Sequence, residues 1–207
     1  MKLIMENWKN YILLENIETG NRLSIFDFDE TIAYSEGHVM AIDKETGEKV
    51  KITTQQEYDK YKKLGTHDFD FSALENVTDE IENVIITNIL RERLTDPNTQ
   101  VMVLTARSEA SIDDMQRALE MFEPEISTEN IIMIGLAGAN KGEYIKDSIL
   151  PSYPNIKSVE FYDDSQDNIN VVVAAREEVL AQGNVTTFDI YKISTEGNTK
   201  GQPKKVK

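Results

Sequence analysis

Residues 23–35 constrain the fold more than any other stretch. They read Leu-Ser-Ile-Phe-Asp-Phe-Asp-Glu-Thr-Ile-Ala-Tyr-Ser. Residues 22–29 are nearly continuous in apolar character up to Phe26, which is the signature of a strand buried on both faces, as in the middle of a parallel sheet. The run then breaks into Asp27 and Asp29, with Phe28 between them. On a strand, positions two apart point to the same face, so the spacing predicts two carboxylates side by side where the strand stops. Such a pair repels itself unless a cation neutralises it, and Mg²⁺ suits one or two carboxylates together with a phosphate. A lone Asp-x-Asp is equally at home as a pair of turn-forming acids, so the rest of the chain has to decide.

In order along the chain, residues 1–20 place Leu3, Ile4, Trp8, Tyr11 and Ile12 at helical spacing, and 18–21 read as a turn. After the first strand, 39–43 and 48–53 flank Lys44-Glu-Thr-Gly47 as a hairpin, and Thr54-Gln-Gln-Glu57 opens a short polar helix to about Leu64. Residues 65–74 read as an irregular loop whose Phe69 and Phe71 pack down on the main domain. Its Asp68-Phe69-Asp70 only echoes the first motif, since no buried strand precedes it. Helices are expected at 78–94, capped by Thr78, and at 111–122, 141–150 and 168–181. Strands are expected at 100–105, 131–136, 158–162 and 185–193. Polar residues 197–207 read as a disordered tail.

Strand and helix alternate, which predicts an α/β fold: a Rossmann-like parallel sheet with helices on both faces. The expected organisation is one domain over 1–196, with residues 36–77 forming a small hairpin-and-helix insertion, a minimal cap, after the first strand. The insertion holds no long apolar stripe, so it is expected to lean on the main domain. Ligands of such sheets bind beyond the carboxyl ends of the strands. Three strands end there in reactive residues: Asp27 and Asp29, Thr105 and Arg107, and Asp163 and Asp164.

The order Asp-x-Asp-x-Thr, Leu-Thr-Ala-Arg, a lysine, then Asp-Asp-x-x-x-Asn resembles that of the haloacid dehalogenase (HAD) superfamily phosphohydrolases, over residues 22 to about 170. The chain also resembles HAD-like proteins of tailed bacteriophages, a likeness that implies no substrate. The resemblance implies that Asp27 is a nucleophile forming an aspartyl-phosphate, and that Asp29 is general acid and then general base, its backbone carbonyl also meeting Mg²⁺. Thr31 would brace the turn beside the substrate. Thr105 would hydrogen-bond a phosphoryl oxygen. Arg107 matches an arginine with which some polynucleotide phosphatases of the superfamily hold a phosphate, although its position also suits a surface arginine at a helix start. Lys141 matches the family's helix-start lysine and is preferred to Lys146. Asp164 would be the direct metal ligand, with Asp163 behind it or bound through water. Asn168 stands where relatives carry Asp, which leaves its role open, and Asp167 would lie on an exposed helix start.

Composition narrows the partners. With no cysteine, disulfides, thiolate zinc sites and cysteine nucleophiles are excluded. A net charge of −15 argues against an extended basic surface for nucleic acid. It does not oppose a phosphate locally, because charges beyond about 8 Å are screened at physiological salt. No apolar run approaches membrane-spanning length and no leader precedes the first strand, so the expectation is a cytoplasmic protein with no membrane partner. The expected function is therefore a Mg²⁺-dependent phosphatase acting on a phosphorylated small molecule or a nucleic-acid end. The small insertion and Arg107 suit a nucleotide or polynucleotide end. The alternatives are a small-metabolite phosphatase and a non-catalytic protein-binding module on the same fold. A response-regulator-like phospho-acceptor conflicts with Asp29, which would speed loss of the phosphoryl group.

Overall fold

The computed structural model describes residues 20–34, 39–52, 55–70, 80–195 and 197–207. The expectations for residues 1–19, Thr54, Phe71, Leu74 and Thr78 lie outside the described residues. In chain order the main elements are strand β1 (Arg22–Phe26), the short β2 (Ala33–Tyr34), β3 (Val39–Asp43), β4 (Lys49–Ile52), helix α1 (Gln55–Leu64), β5 (His67–Asp70) and the short β6 (Ile81–Glu82). They continue with α2 (Val84–Thr95), β7 (Thr99–Thr105), α3 (Ile112–Met121) and β8 (Ile131–Gly135). Helix α4 starts as an α-turn (Lys141–Tyr144), widens into a π-turn (Ile145–Ile149) and closes with a last α-turn (Leu150–Ser152). Then come β9 (Ser158–Asp163), α5 (Gln166–Gln182), β10 (Thr187–Ile193) and β11 (Pro203–Lys205).

The central sheet has the order β11-β10-β9-β1-β7-β8. β1 pairs in parallel with β7 and β9, β8 extends the sheet beyond β7, and β10 extends it beyond β9. This is the Rossmann-like α/β sheet that the alternation predicts. Side-chain parity divides the core. Leu23 and Ile25 of β1 join Met102, Leu104, Val159 and Phe161 on one face, where Ile145 and Ile149 of α4 and Ile169, Val172 and Val179 of α5 cover them. Phe26 turns to the other face, with Val101 and Val103, under Ile86 and Leu90 of α2 and Met115 and Leu119 of α3. Each fully buried side chain of this size contributes about 1.5–3 kcal/mol relative to exposure. On this second face Phe26, Tyr162 and Tyr191 stack across three strands, with centroids 4.7 Å apart at each step.

The insertion differs from expectation. Residues 67–70 form a strand, β5, rather than a loop, and pair with β3 on the side opposite β4. The result is a three-stranded antiparallel sheet against which α1 packs. Phe69 meets Tyr58 of α1, 4.8 Å between ring centroids, a contact within the insertion itself. Ala41 and Ile52 of this sheet are buried. Asp43 fixes the hairpin by accepting from the amides of Glu45 and Thr46 at 2.9 and 2.8 Å. The insertion joins the main domain through a neck in which β2 and β6 pair. Asn83 closes that neck: its amide donates to the Ile32 carbonyl and its side chain donates to the Thr31 carbonyl at 2.8 Å.

Residues 197–207 are not a disordered tail. A 3₁₀ turn at Gly197–Thr199 leads into β11, antiparallel to β10. Polar composition hides this because an edge strand needs few apolar residues. Pro203 sits at its first position, where no donor is required, and Lys204 and Lys205 face outward as edge strands favour. Val206 reaches the core, and its amide donates to the Ile190 carbonyl at 2.8 Å. No helix among the described residues is long and apolar enough to cross a membrane.

The helix pair behind the sheet sets a close tolerance. A Cβ on Gly142 would lie 2.4 Å from the Val171 carbonyl oxygen of α5. Gly142→Ala is expected to force α4 and α5 apart and destabilise the fold by about 1–3 kcal/mol, read by chemical denaturation.

Candidate active site

Parallel pairing brings the ends of β1, β7 and β9 to one edge. Phe26 is in register with Tyr162, and the Asp27 amide donates to the Tyr162 carbonyl at 2.9 Å, so Asp27 emerges level with the end of β9. Helix α4 begins at the same edge. Asn140 caps it by accepting from the Glu143 amide, which sets Lys141 in its first turn. Lys141 is only 1 % exposed, and its Nζ donates to Asp27 Oδ1 at 2.5 Å and to Asp163 Oδ2 at 2.7 Å. Burial works against its charge, but Asp163 and Asp27 outweigh burial and hold the ammonium above the ordinary lysine value. Lys146, three residues past the first turn's Glu143, turns away to Glu178 at 2.8 Å.

Asp163 is saturated. Besides Lys141 it accepts from the Ser165 amide at 2.8 Å and from Asn168 Nδ2 at 3.2 and 3.1 Å. Asn168, whose role the sequence left open, is thus a donor that orients Asp163. Asp164 differs. Its carbonyl accepts from Lys192 Nζ, but its carboxylate has no donor among the described residues. Asp27, Asp163 and Asp164 each present an oxygen within 4.8 Å of the others.

When all three are ionised, the buried carboxylates leave two negative charges uncompensated by the one ammonium. Burial pushes Asp27 up to about 7, partly offset by Lys141, with Asp163 and then Asp29 adding to the rise. Asp164 is raised well above the carboxylate range by burial, then by Asp27 and Asp163. Hard oxygen donors and an excess of two charges fit a divalent cation such as Mg²⁺, with Asp27 and Asp164 free to offer oxygens and Asp163 behind them.

Asp29 does not stand beside Asp27 as its strand spacing predicts. β1 ends at Phe26, and the chain turns, with the amides of Ile32 and Ala33 donating to the Phe28 carbonyl. Within this turn Glu30 adopts a positive φ of 55°. The Asp29 carboxylate leaves the acid cluster and meets Arg107, whose Nε donates to both its oxygens at 3.1 and 3.0 Å. Any contact of Asp29 with a metal is therefore left to its backbone carbonyl.

Arg107 departs from the reading of a surface arginine at a helix start. It is buried, not a surface arginine, and its Nη2 binds Asp29 and also Glu80 Oε1 at 3.2 Å, so this guanidinium is already held by two carboxylates. Its Nη1 is buried without a partner among the described residues. Thr105 is buried, and its Oγ1 accepts from the Arg107 amide at 3.1 Å, which leaves its O–H to donate elsewhere. Thr31 is buried in the turn and braces it through its carbonyl to Asn83, while its hydroxyl has no partner among the described residues. Asp167 lies exposed at the start of α5 and pairs with Lys62 of the insertion at 3.1 Å.

Glu80 was missed by sequence reasoning. It lies outside every motif, just before β6, and no local pattern marks it. Burial pushes it up to about 7, with Arg107 opposing and Asp29 adding to the rise.

A scan of the chain against family models finds no match, and neither does a search of curated proteins. Among solved structures the chain is similar to the Legionella pneumophila effector Ceg4, at 11% identity over 89% of this chain and 91% of that chain, with a TM-score of 0.49.

Two outcomes are expected. Lys141→Ala strands two buried carboxylates and should cost about 3–5 kcal/mol at neutral pH, whereas Lys146→Ala removes a surface pair and should leave the melting temperature nearly unchanged. Because burial pushes Asp27 up to about 7, protons compete with Mg²⁺ for its carboxylate below that pH. The rise in melting temperature on adding Mg²⁺ should be larger at pH 8 than at pH 6, and should vanish in Asp164→Ala.

Proposed function

We propose that this chain hydrolyses a phosphate monoester through an aspartyl-phosphate on Asp27. The observation that supports this best is the buried Asp27–Lys141–Asp163 bridge at the carboxyl edge of the sheet, with an open Asp164 carboxylate beside it. A carboxylate held in one orientation by a buried ammonium is a positioned nucleophile, and positioning together with charge compensation is most of what phosphoryl transfer needs.

Lys141 holds Asp27 Oδ1 and so fixes the orientation in which the carboxylate meets phosphorus. The Asp27 oxygen bonds to phosphorus as the bond from phosphorus to the leaving oxygen breaks, and a proton from Asp29 passes to that oxygen. Asp29, now a carboxylate, takes a proton from water. The water oxygen attacks phosphorus and frees Asp27 and inorganic phosphate. Thr105, through its free O–H, and Lys141 hold phosphoryl oxygens. Mg²⁺ bound by Asp27 and Asp164 would supply the positive charge that lets two anions approach.

The substrate class stays broad. With Arg107 engaged by Asp29 and Glu80, the reading of a nucleotide or polynucleotide end is carried by the small size of the insertion.

The protein should turn over para-nitrophenyl phosphate with Mg²⁺ and lose that activity on chelation. Asp27→Asn should lower it by at least about 10³-fold. A folded, Mg²⁺-loaded protein inactive on this ester, and on a panel of nucleotides, sugar phosphates and 3′- or 5′-phosphorylated oligonucleotides, would instead support the non-catalytic binding module.

A further inference from the structure

We infer that Glu80 is a positioning residue, which pins the Arg107 guanidinium at Nη2, the nitrogen it shares with Asp29, and so fixes the orientation in which Asp29 meets substrate. The inference rests on the phosphatase reading and adds to it a residue outside every motif of the chain.

The three side chains form a graded ion cluster. Glu80 and Arg107 are 3 % and 5 % exposed at their side chains, and Asp29 is 29 % exposed. The outer edge of Asp29 alone reaches solvent, while the parts that hold it are covered. Arg107 grips Asp29 through Nε and Nη2, a fork geometry that fixes both distance and plane. An arginine side chain is long, and one carboxylate would let the fork swing with its partner. Glu80 takes the same Nη2 at 3.2 Å, and the Phe28 ring lies 5.5 Å from the guanidinium carbon. The Arg107 amide is tied to Thr105 Oγ1 as well. With Glu80 and Phe28 fixing the guanidinium and Thr105 the backbone behind it, Asp29 is the element that conforms to it.

Glu80 also has a distinctive place in the chain. It directly precedes β6, which pairs with β2 to form the neck of the insertion. The backbone that closes the insertion therefore also sets the proton-transfer group, and a displaced neck would withdraw Glu80 from Arg107. Asp29 is reached from β1 and Glu80 from the far end of the insertion, 51 positions later, so no local motif links them.

A general acid matters most when the leaving oxygen is strongly basic, and little when it is weakly basic. A misoriented Asp29 therefore has a signature that loss of stability lacks. The test measures kcat/KM, which reports the first transfer step, on β-glycerol phosphate and on para-nitrophenyl phosphate. Glu80→Ala should lower the ratio of the first to the second by about tenfold or more. Glu80→Gln, which keeps an acceptor for Nη2, should restore the ratio to within about threefold of wild type. Glu80→Asp, which withdraws the carboxylate by one methylene, serves where the alanine variant does not fold and should shift the ratio in the same direction. A ratio unchanged in every folded variant overturns the inference, whatever the overall loss. So does a wild-type protein active on the aryl ester alone, since Asp29 would then deliver no proton.

A second measurement needs no turnover. In metal-free protein, the side-chain Nε–H resonance of Arg107 should exchange slowly with solvent in wild type and Glu80→Gln, and quickly in Glu80→Ala or Glu80→Asp. If wild type turns over neither ester, the phosphatase reading fails and the role toward Asp29 chemistry falls with it, while the exchange rates still decide whether Glu80 holds Arg107. Equal exchange in all variants overturns that hold.

Discussion

The site depends on one buried ammonium. Lys141 sits almost without exposure between Asp27 and Asp163. A buried lysine is costly unless it is paired, and two buried carboxylates at strand ends are costly unless something positive lies between them, so neither side is stable alone. Much of the architecture serves this meeting. The β1–β9 register sets the two aspartates level. Asn140 starts α4 at the right edge. Gly142 lets that helix press against α5 closely enough for Lys141 to reach inward. Asn168, in the first turn of α5, holds Asp163 from behind.

The second half of the site is organised differently. Where the first half is a bridge across adjacent strands, the second is a chain of charges that runs from Asp29 through Arg107 to Glu80. It joins the turn after β1 to the end of the insertion. The insertion touches the rim a second time, through Lys62 and Asp167. Among the described residues, ion pairs thus tie the insertion and its neck to both flanks of the acid cluster.

Much of the fold was legible because parallel strands leave an unambiguous mark. Residues 22–26, 99–105 and 158–163 are rich in apolar residues that are buried on both faces of the sheet, and they read as internal strands. The acids, Thr105 and Lys141 were legible as candidates because each follows directly from such a run or starts a helix. What the sequence concealed depends on partners distant in the chain. The direction of the Asp29 side chain is decided by a turn and by Arg107, not by strand alternation. Glu80 becomes relevant only when the insertion folds back. β5 and β11 are edge strands whose pairing supplies what their composition lacks, so they read as loop and tail.

The widened turn in α4 bears on how helical phase is kept. Lys141, Ile145 and Ile149 lie four apart, and all three are buried on the same side. In a regular α-helix each fourth residue drifts by about 40°, so by the third position the stripe would have wound well off the sheet. The π-turn holds more residues per revolution and cancels that drift. The helix thereby acts as an indexed shaft. Its hydrophobic stripe runs straight along the sheet, and the angle at which Ile145 and Ile149 are seated is the angle at which the ammonium is delivered to the edge. Removing one residue from the wide turn would leave a shorter and more regular helix, but it would rotate the lysine relative to its own anchor. The irregularity is therefore a phase correction, and the orientation of the charged end is stored in the apolar residues one and two turns away.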